Sequence, residues 1–292
     1  MSPAMAGRRA GAEGARALAA HLAHPRYEVL PLDGIEDAVV AHVPRDVTIT
    51  VTASPKKGLE ATLAVSERLA HEGYAVVPHL SARLVRDRAH LEEILPRLHD
   101  AGVRELFVPA GDAPEPAGEF DSAAALLNAM ADLREGFARI GITGYPESHH
   151  LISDDLTIAS MFEKASMATD IISQICFDAD AIARWIANVR ARGTTLPIWI
   201  GVPGVIDYAK LVRISLRIGL GESTRFLRAH RAWMSRLITR QFKPNGLVRD
   251  LTPVVADPAA NVAGFHLYTF NEVERTERWR RQLLARLEEG PL

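Results

Sequence analysis

At 292 residues the chain can bury a large core, either as two domains or as one α/β barrel. Hydrophobic residues at 48%, charged residues at 24% and a formal charge of −2 describe an ordinary globular protein and exclude the electrostatic profile of a nucleic-acid binder. The single cysteine, Cys176, excludes an internal disulfide framework and a cysteine-rich zinc site, and its apolar surroundings predict a packed core residue.

Met1 to Arg26 is rich in Ala and Arg, with Glu13 as its one acidic residue, and reads as a short amphipathic or frayed leader (residues 1–26). No apolar run reaches transmembrane length and no signal-peptide core precedes a small-residue cleavage site, so the expectation is a cytoplasmic protein with no membrane partner.

From Tyr27 onward, β-rich apolar segments alternate with helical patterns. The strands expected are Tyr27–Leu32, Val47–Ala53, Ala75–Leu80, Glu105–Ala110, Ile140–Thr143, Ile171–Phe177, Pro197–Val202 and Gly264–Phe270. Apolar residues at three- and four-residue spacing predict helices over Leu59–Ala70, Leu91–Leu98, Ala123–Phe137 and Ile182–Val189, with Gly73, Gly102 and Gly193 closing three of them. A short helix follows Gly34, and a longer helical insert, Ser223–Phe242, precedes the last strand. Eight strands alternating with helices in this length predict a single (β/α)8 TIM barrel over residues 27–292. A doubly wound sheet is the competitor, but the chain has no Gly-x-Gly-x-x-Gly after its first strand and no Walker loop.

In such a barrel the chemistry collects where the strands end. Those ends carry Glu28, Thr52, His79, Asp112, then Tyr145, Glu147 and His149, then Gln174 and Asp178, and finally Tyr268, Thr269 and Asn271. Glu28 and Gln174 interrupt otherwise apolar strands, where a polar group costs free energy unless it finds a partner. Jointly these residues predict a polar site at the barrel mouth.

The same residues carry a resemblance to a known family. Tyr27-Glu-Val-Leu-Pro31, Pro78-His-Leu80, Gly111-Asp-Ala-Pro114, Gly144-Tyr-Pro-Glu-Ser-His149, Gln174-Ile-Cys-Phe-Asp178 and Gly264-Phe-His-Leu-Tyr-Thr-Phe-Asn271 run in order along nearly the whole chain. Together they resemble the signature of the methylenetetrahydrofolate reductases, which are (β/α)8 barrels. The resemblance implies reduction of 5,10-methylenetetrahydrofolate to 5-methyltetrahydrofolate with NADH or NADPH, usually through a bound FAD. It implies Glu28 as general acid and Asp112 as the carboxylate that stabilises the developing iminium cation. Gln174, Asp112 and Tyr268 would bind the folate, while Thr52, His79, Gly111, Tyr145 and His149 would line the cofactor site.

Three departures bear on the flavin. Flavin-dependent members carry Arg before the Gly-Asp, where this chain has Ala110, and Tyr after the strand-2 Thr, where it has Ala53. Their helix 5 carries an Asn and a basic pair for the FAD phosphates, whereas Ala159–Lys164 offers only Lys164. Loss of cationic donors removes charge-assisted bonds to a diphosphate, so the expectation is hydride transfer without tightly bound FAD. Two other classes compete: a folate-binding protein without catalysis, and a metal hydrolase using His149, His150 and Glu147 with His79 and Asp178. The reductase reading places no metal in the site.

Overall fold

Residues 3–133, 136–147, 154–207, 210 and 241–290 are described by the computed structural model. Among them, eight parallel strands follow one another around a barrel: β1 (Arg26–Val29), β2 (Thr48–Val51), β3 (Val76–Pro78), β4 (Glu105–Phe107), β5 (Arg139–Gly144), β6 (Asp170–Ser173), β7 (Ile198–Pro203) and, as eighth staves go, the late strand Val262–Tyr268. The last of these pairs with both β7 and β1. A bridge between His79 and Phe107, with Leu80 N–H donating to Phe107 O at 2.8 Å, joins β3 to β4 and closes the ring. The expected (β/α)8 barrel is the fold.

Helices cover the outside: α1 (Pro3–Ala23), α2 (Ile35–His42), α3 (Gly58–His71), α4 (Arg88–Asp100), α5 (Ala123–Ala129), α6 (Asp154–Ala165) and α7 (Ala179–Ala191). A two-stranded antiparallel piece, β8 (Ile206–Asp207) with β9 (Gln241–Phe242), forms a sheet of its own that packs on Ile175, Phe177 and Phe270. Then come α8 (Asn245–Asp250), α9 (Thr252–Ala256), the eighth barrel strand β10 (Val262–Tyr268) and α10 (Val273–Glu289). Among the described residues no helix is long and apolar enough to cross a membrane.

The period-2 alternation of the strands sorts their side chains. On β1, Tyr27 faces outward and donates its hydroxyl to Glu277 on α10 at 2.7 Å. Its neighbours Arg26 and Glu28 face the barrel interior, where Arg26 bonds Glu105 (2.7 Å) and Asp170 (3.1 Å) and lies 4.1 Å over the Trp199 ring. The main apolar core lies between strands and helices, while Val77, Phe107 and Ile172, packed with Trp199, form a small separate cluster inside the barrel.

Several expectations shift in detail. Strands predicted through Ala110 and Phe177 end at Phe107 and Ser173, although Val108, Gln174 and Cys176 still donate backbone N–H groups to Gly141, Gly144 and Gly201 of the neighbouring strands. The helix predicted over Ala123–Phe137 ends at Ala129, where Arg88 donates to Ala129 O and forks onto Asp132. The predicted insert Ser223–Phe242 falls mostly outside the described residues; its end, Gln241–Phe242, is a strand rather than helix, held by an edge-on contact of Phe242 with Phe177 at 5.8 Å. The segment read as a leader forms α1, whose Leu18 and Leu22 are fully buried in the main core, and Arg26 is the first residue of β1. Cys176 is buried in that core, as expected.

Candidate active site

Every described residue that the sequence placed at a strand end lies at one rim of the barrel. Glu28 occupies the third position of β1, Thr52 follows β2, His79 follows β3, Tyr145 follows β5, Gln174 follows β6 and Tyr268 ends β10. Gly111 and Asp112 sit in the loop after β4. His149 and His150 lie outside the described residues.

Glu28 is the centre of the arrangement. Its Oε2 lies 3.0 Å from His266 Nε2 and 3.7 Å from His79 Nε2. Burial pushes the Glu28 carboxyl up to about 7, the proximity of His79 opposing the shift. Burial lowers both histidines, His79 to about 4 and His266 to about 3, with the Arg26 cation adding to the effect on His266. At neutral pH the group is therefore two neutral imidazoles around a carboxyl that is free to gain or lose one proton.

The remaining polar groups surround that carboxyl. Tyr268 packs edge-on against the His266 ring at 4.9 Å and donates its hydroxyl to Ser173 O at 3.1 Å, so it offers the site its ring rather than a free hydroxyl. Burial, then the nearby Glu28 and Tyr145, hold the Tyr268 phenol well above its ordinary range. Tyr145 is likewise raised by burial, and the negative charge of Asp112 adds to the shift. Asp112 is exposed, and near enough to Tyr145 for its charge to act on that phenol. The Gln174 backbone N–H donates to Gly144 O, and its side-chain amide has no partner among the described residues.

Local structure explains why these groups are held. The loop after β3 latches the loop after β4: Ala82 N–H and Arg83 N–H donate to Pro109 O and Ala110 O. The Arg83 guanidinium then donates to the carbonyls of Ala113 (2.6 Å), Pro114 (2.7 Å) and Asp121 (3.1 Å). Gly111 makes the close approach possible, since its φ is +95° and a Cβ there would sit 1.8 Å from Ser81 Oγ. Thr52 donates its N–H to Val29 O, and its carbonyl accepts the Thr62 hydroxyl. Its own buried Oγ1, like His79 Nε2, lacks a hydrogen-bond partner among the described residues. Orphaned polar atoms at a barrel mouth are what a polar ligand would satisfy.

The metal-hydrolase set included Asp178, whose Oδ1 caps α7 by accepting from Asp180 N–H (2.8 Å) and Ala181 N–H (3.1 Å). Glu147 is buried beside Cys176, whose thiol is raised by burial and then by that carboxylate. Glu28, His79 and His266 do bring one donor atom each within 4.8 Å of one another, donor types that metal sites also use. Two of those three atoms already share the 3.0 Å hydrogen bond.

Two residues escaped the sequence reading. His266 lay inside a quoted motif, and its spacing of two from Tyr268 on one strand was the signal that both face the interior. Arg83 gave no signal, because its partners are backbone carbonyls.

Comparison with known proteins follows the same line. The family profile described as methylenetetrahydrofolate reductase matches residues 32–221, more than half of the chain. The 5,10-methylenetetrahydrofolate reductase of Pectobacterium carotovorum subsp. carotovorum is 24% identical over 213 residues, covering 69% of this chain and 67% of that protein. Methylenetetrahydrofolate reductase 2 of Saccharomyces cerevisiae is 28% identical over 134 residues, covering 42% of this chain and 22% of the yeast protein. The match thus spans about a fifth of the yeast relative's length. Among solved structures, the C-terminal domain of a chitinase candidate from Desulfitobacterium hafniense DCB-2 superposes with a TM-score of 0.56 at 10% identity, over 90% of this chain and 99% of that one. At that identity the likeness concerns the barrel fold alone.

Proposed function

This chain belongs to the methylenetetrahydrofolate reductase family, and from that premise we propose that it reduces 5,10-methylenetetrahydrofolate to 5-methyltetrahydrofolate with NADH or NADPH. The observation that carries the reading is Glu28, a carboxyl raised to about 7 between two neutral histidines at the barrel mouth. A general acid is most effective when its pKa lies near the working pH.

The chemistry follows from the residues. Glu28 gives its proton to the N10 nitrogen as the bond from that nitrogen to the bridging carbon breaks, its electron pair passing to N10. The bridge becomes a 5-iminium cation. Asp112, exposed and without a hydrogen-bond partner among the described residues, is the carboxylate that on this reading stabilises that cation. Gln174 carries a paired donor and acceptor on an unpartnered amide, suited to the pterin edge. NAD(P)H supplies the hydride that turns the bridging carbon into a methyl group.

The residues present do not fit a tightly held FAD. Ala110 and Ala53 replace the family's Arg and Tyr, and Ala110 packs against the main core. Lys164, the remaining basic residue of α6, lies in that helix's last turn, just before β6 begins and so at the opposite end of the barrel from the mouth. It is buried, which lowers its pKa. From that position it cannot hold a diphosphate at the mouth, and we read the hydride as passing directly from nicotinamide to folate.

Purified protein incubated with methylenetetrahydrofolate and NADH or NADPH should form 5-methyltetrahydrofolate, and the preparation should be colourless. Folate binding without any product would mark a binding protein and overturn the reductase reading. A yellow preparation carrying stoichiometric flavin would overturn the flavin-free one.

A further inference from the structure

The hydrogen bond between His266 and Glu28 does more than satisfy two buried groups. His266 is 1% exposed. Its Nδ1 is buried without a hydrogen-bond partner among the described residues, while its Nε2 lies 3.0 Å from Glu28 Oε2. An orphaned N–H donor is the costlier arrangement, so the ring's hydrogen belongs on Nε2, where Glu28 accepts it. His79 Nε2 lies 3.7 Å from the same oxygen, Oε2. The second carboxyl oxygen, Oε1, has no partner among the described residues.

We propose that His266 is the positioning residue of the proton donor: by donating to Oε2 it fixes the carboxyl plane and leaves Oε1 as the oxygen that carries the proton and delivers it to substrate. The role rests on the reductase reading for its substrate, though not for the pairing itself. The surroundings keep His266 in that role. Below it stand the Arg26 cation and Asp170, which are themselves paired at 3.1 Å. Beside it stand the Tyr268 ring at 4.9 Å and His79, whose own charge state responds to His266. Burial first and Arg26 second oppose another proton on the imidazole, against the pull of Asp170, so the ring acts as a fixed neutral donor and does not itself carry the transferred proton.

Removing an N–H donor from a carboxylate takes away a bond that favours the charged form, so the Glu28 pKa should rise further. The test uses His266→Phe and His266→Gln, the second restoring an N–H donor. Two readouts are taken: kcat and KM against pH, and the Glu28 carboxyl followed by pH-difference infrared spectroscopy of ligand-free protein, with Glu28→Gln as the blank. His266→Phe should lower kcat about tenfold or more, part of what a positioned general acid contributes, with the folate KM little changed. The Glu28 titration should move up by at least about half a pH unit, and His266→Gln should recover most of both effects. A Phe variant with kcat within about twofold of wild type, an unmoved Glu28 titration, or a Gln variant no better than Phe would overturn the proposal. Should His266→Phe fail to fold, the Gln variant decides: wild-type-like kcat and titration support the donor role, and their loss overturns it. A shifted titration in a protein without reductase activity would leave the pairing standing and bring down the reductase reading instead.

Discussion

Glu28 holds a carboxyl in a place where its charged form is poorly solvated, and function and stability pull on it in opposite directions. Its folded pKa of about 7 stands above the ordinary 4.5, so between those values the folded protein holds a proton that the unfolded chain has released. Stability tied to this group is therefore fully present at low pH and is lost as pH rises through about 7. Glu28→Gln, which keeps the acceptor for His266 but cannot ionise, should leave Tm nearly unchanged at pH 5 and raise it at pH 8, while abolishing folate reduction. Thermal scans at both pH values check this, and equal Tm shifts at the two would contradict it. Asp112 works by charge rather than by proton, and it is exposed, so Asp112→Asn should fold normally and lose roughly 10²–10³-fold in kcat, the scale of removing one electrostatic stabiliser. Circular dichroism beside steady-state kinetics separates that outcome from unfolding.

At the scale of elements, the site is a product of what latches its loops. Arg83 ties three carbonyls of the β4 loop, and Gly111 lets that loop lie against Ser81, so Asp112 is presented by a braced segment. The helix α1 braces the opposite side, inserting Leu18 and Leu22 into the core and packing against α9 and α10. Leu18→Ala should cost roughly 2–5 kcal/mol, as truncation of a fully buried leucine does, read as a lowered denaturation midpoint; a cost within about half a kcal/mol would mean that α1 contributes little to the core. Legibility in the sequence divides along the same line. Strand and helix order could be read because local periodicity of 2 and 3.6 encodes it. Glu28, His79 and Gln174 could be read because polar residues at the ends of apolar strands are conspicuous. The Arg83 latch and the packing of α1 could not, since Arg83 meets backbone carbonyls whose positions no side-chain pattern records. In α1, the Ala-rich face around Leu18 and Leu22 shows too weak a stripe.

For the whole molecule, the barrel closes at the His79–Phe107 bridge, and its four adjacent strands β3, β2, β1 and β10 bring His79 (β3) and His266 (β10) onto Glu28 (β1). No single segment contains that centre, and it takes neighbouring strands from both ends of the chain to assemble it. The same closure gives a mouth in which Ala53, Ala110 and an α6 whose lysine lies at the far end provide little to grip a flavin diphosphate. The proposed function has the hydride pass directly from the nicotinamide to the folate methylene carbon, and an isotope label reads that transfer most directly. With NADH deuterated at the transferring C4 position and the purified protein in ordinary water, the deuterium should be retained in the methyl group of 5-methyltetrahydrofolate. A flavin relay would pass the label through an exchangeable N–H and lose it to solvent, so product bearing an unlabelled methyl group would contradict the account.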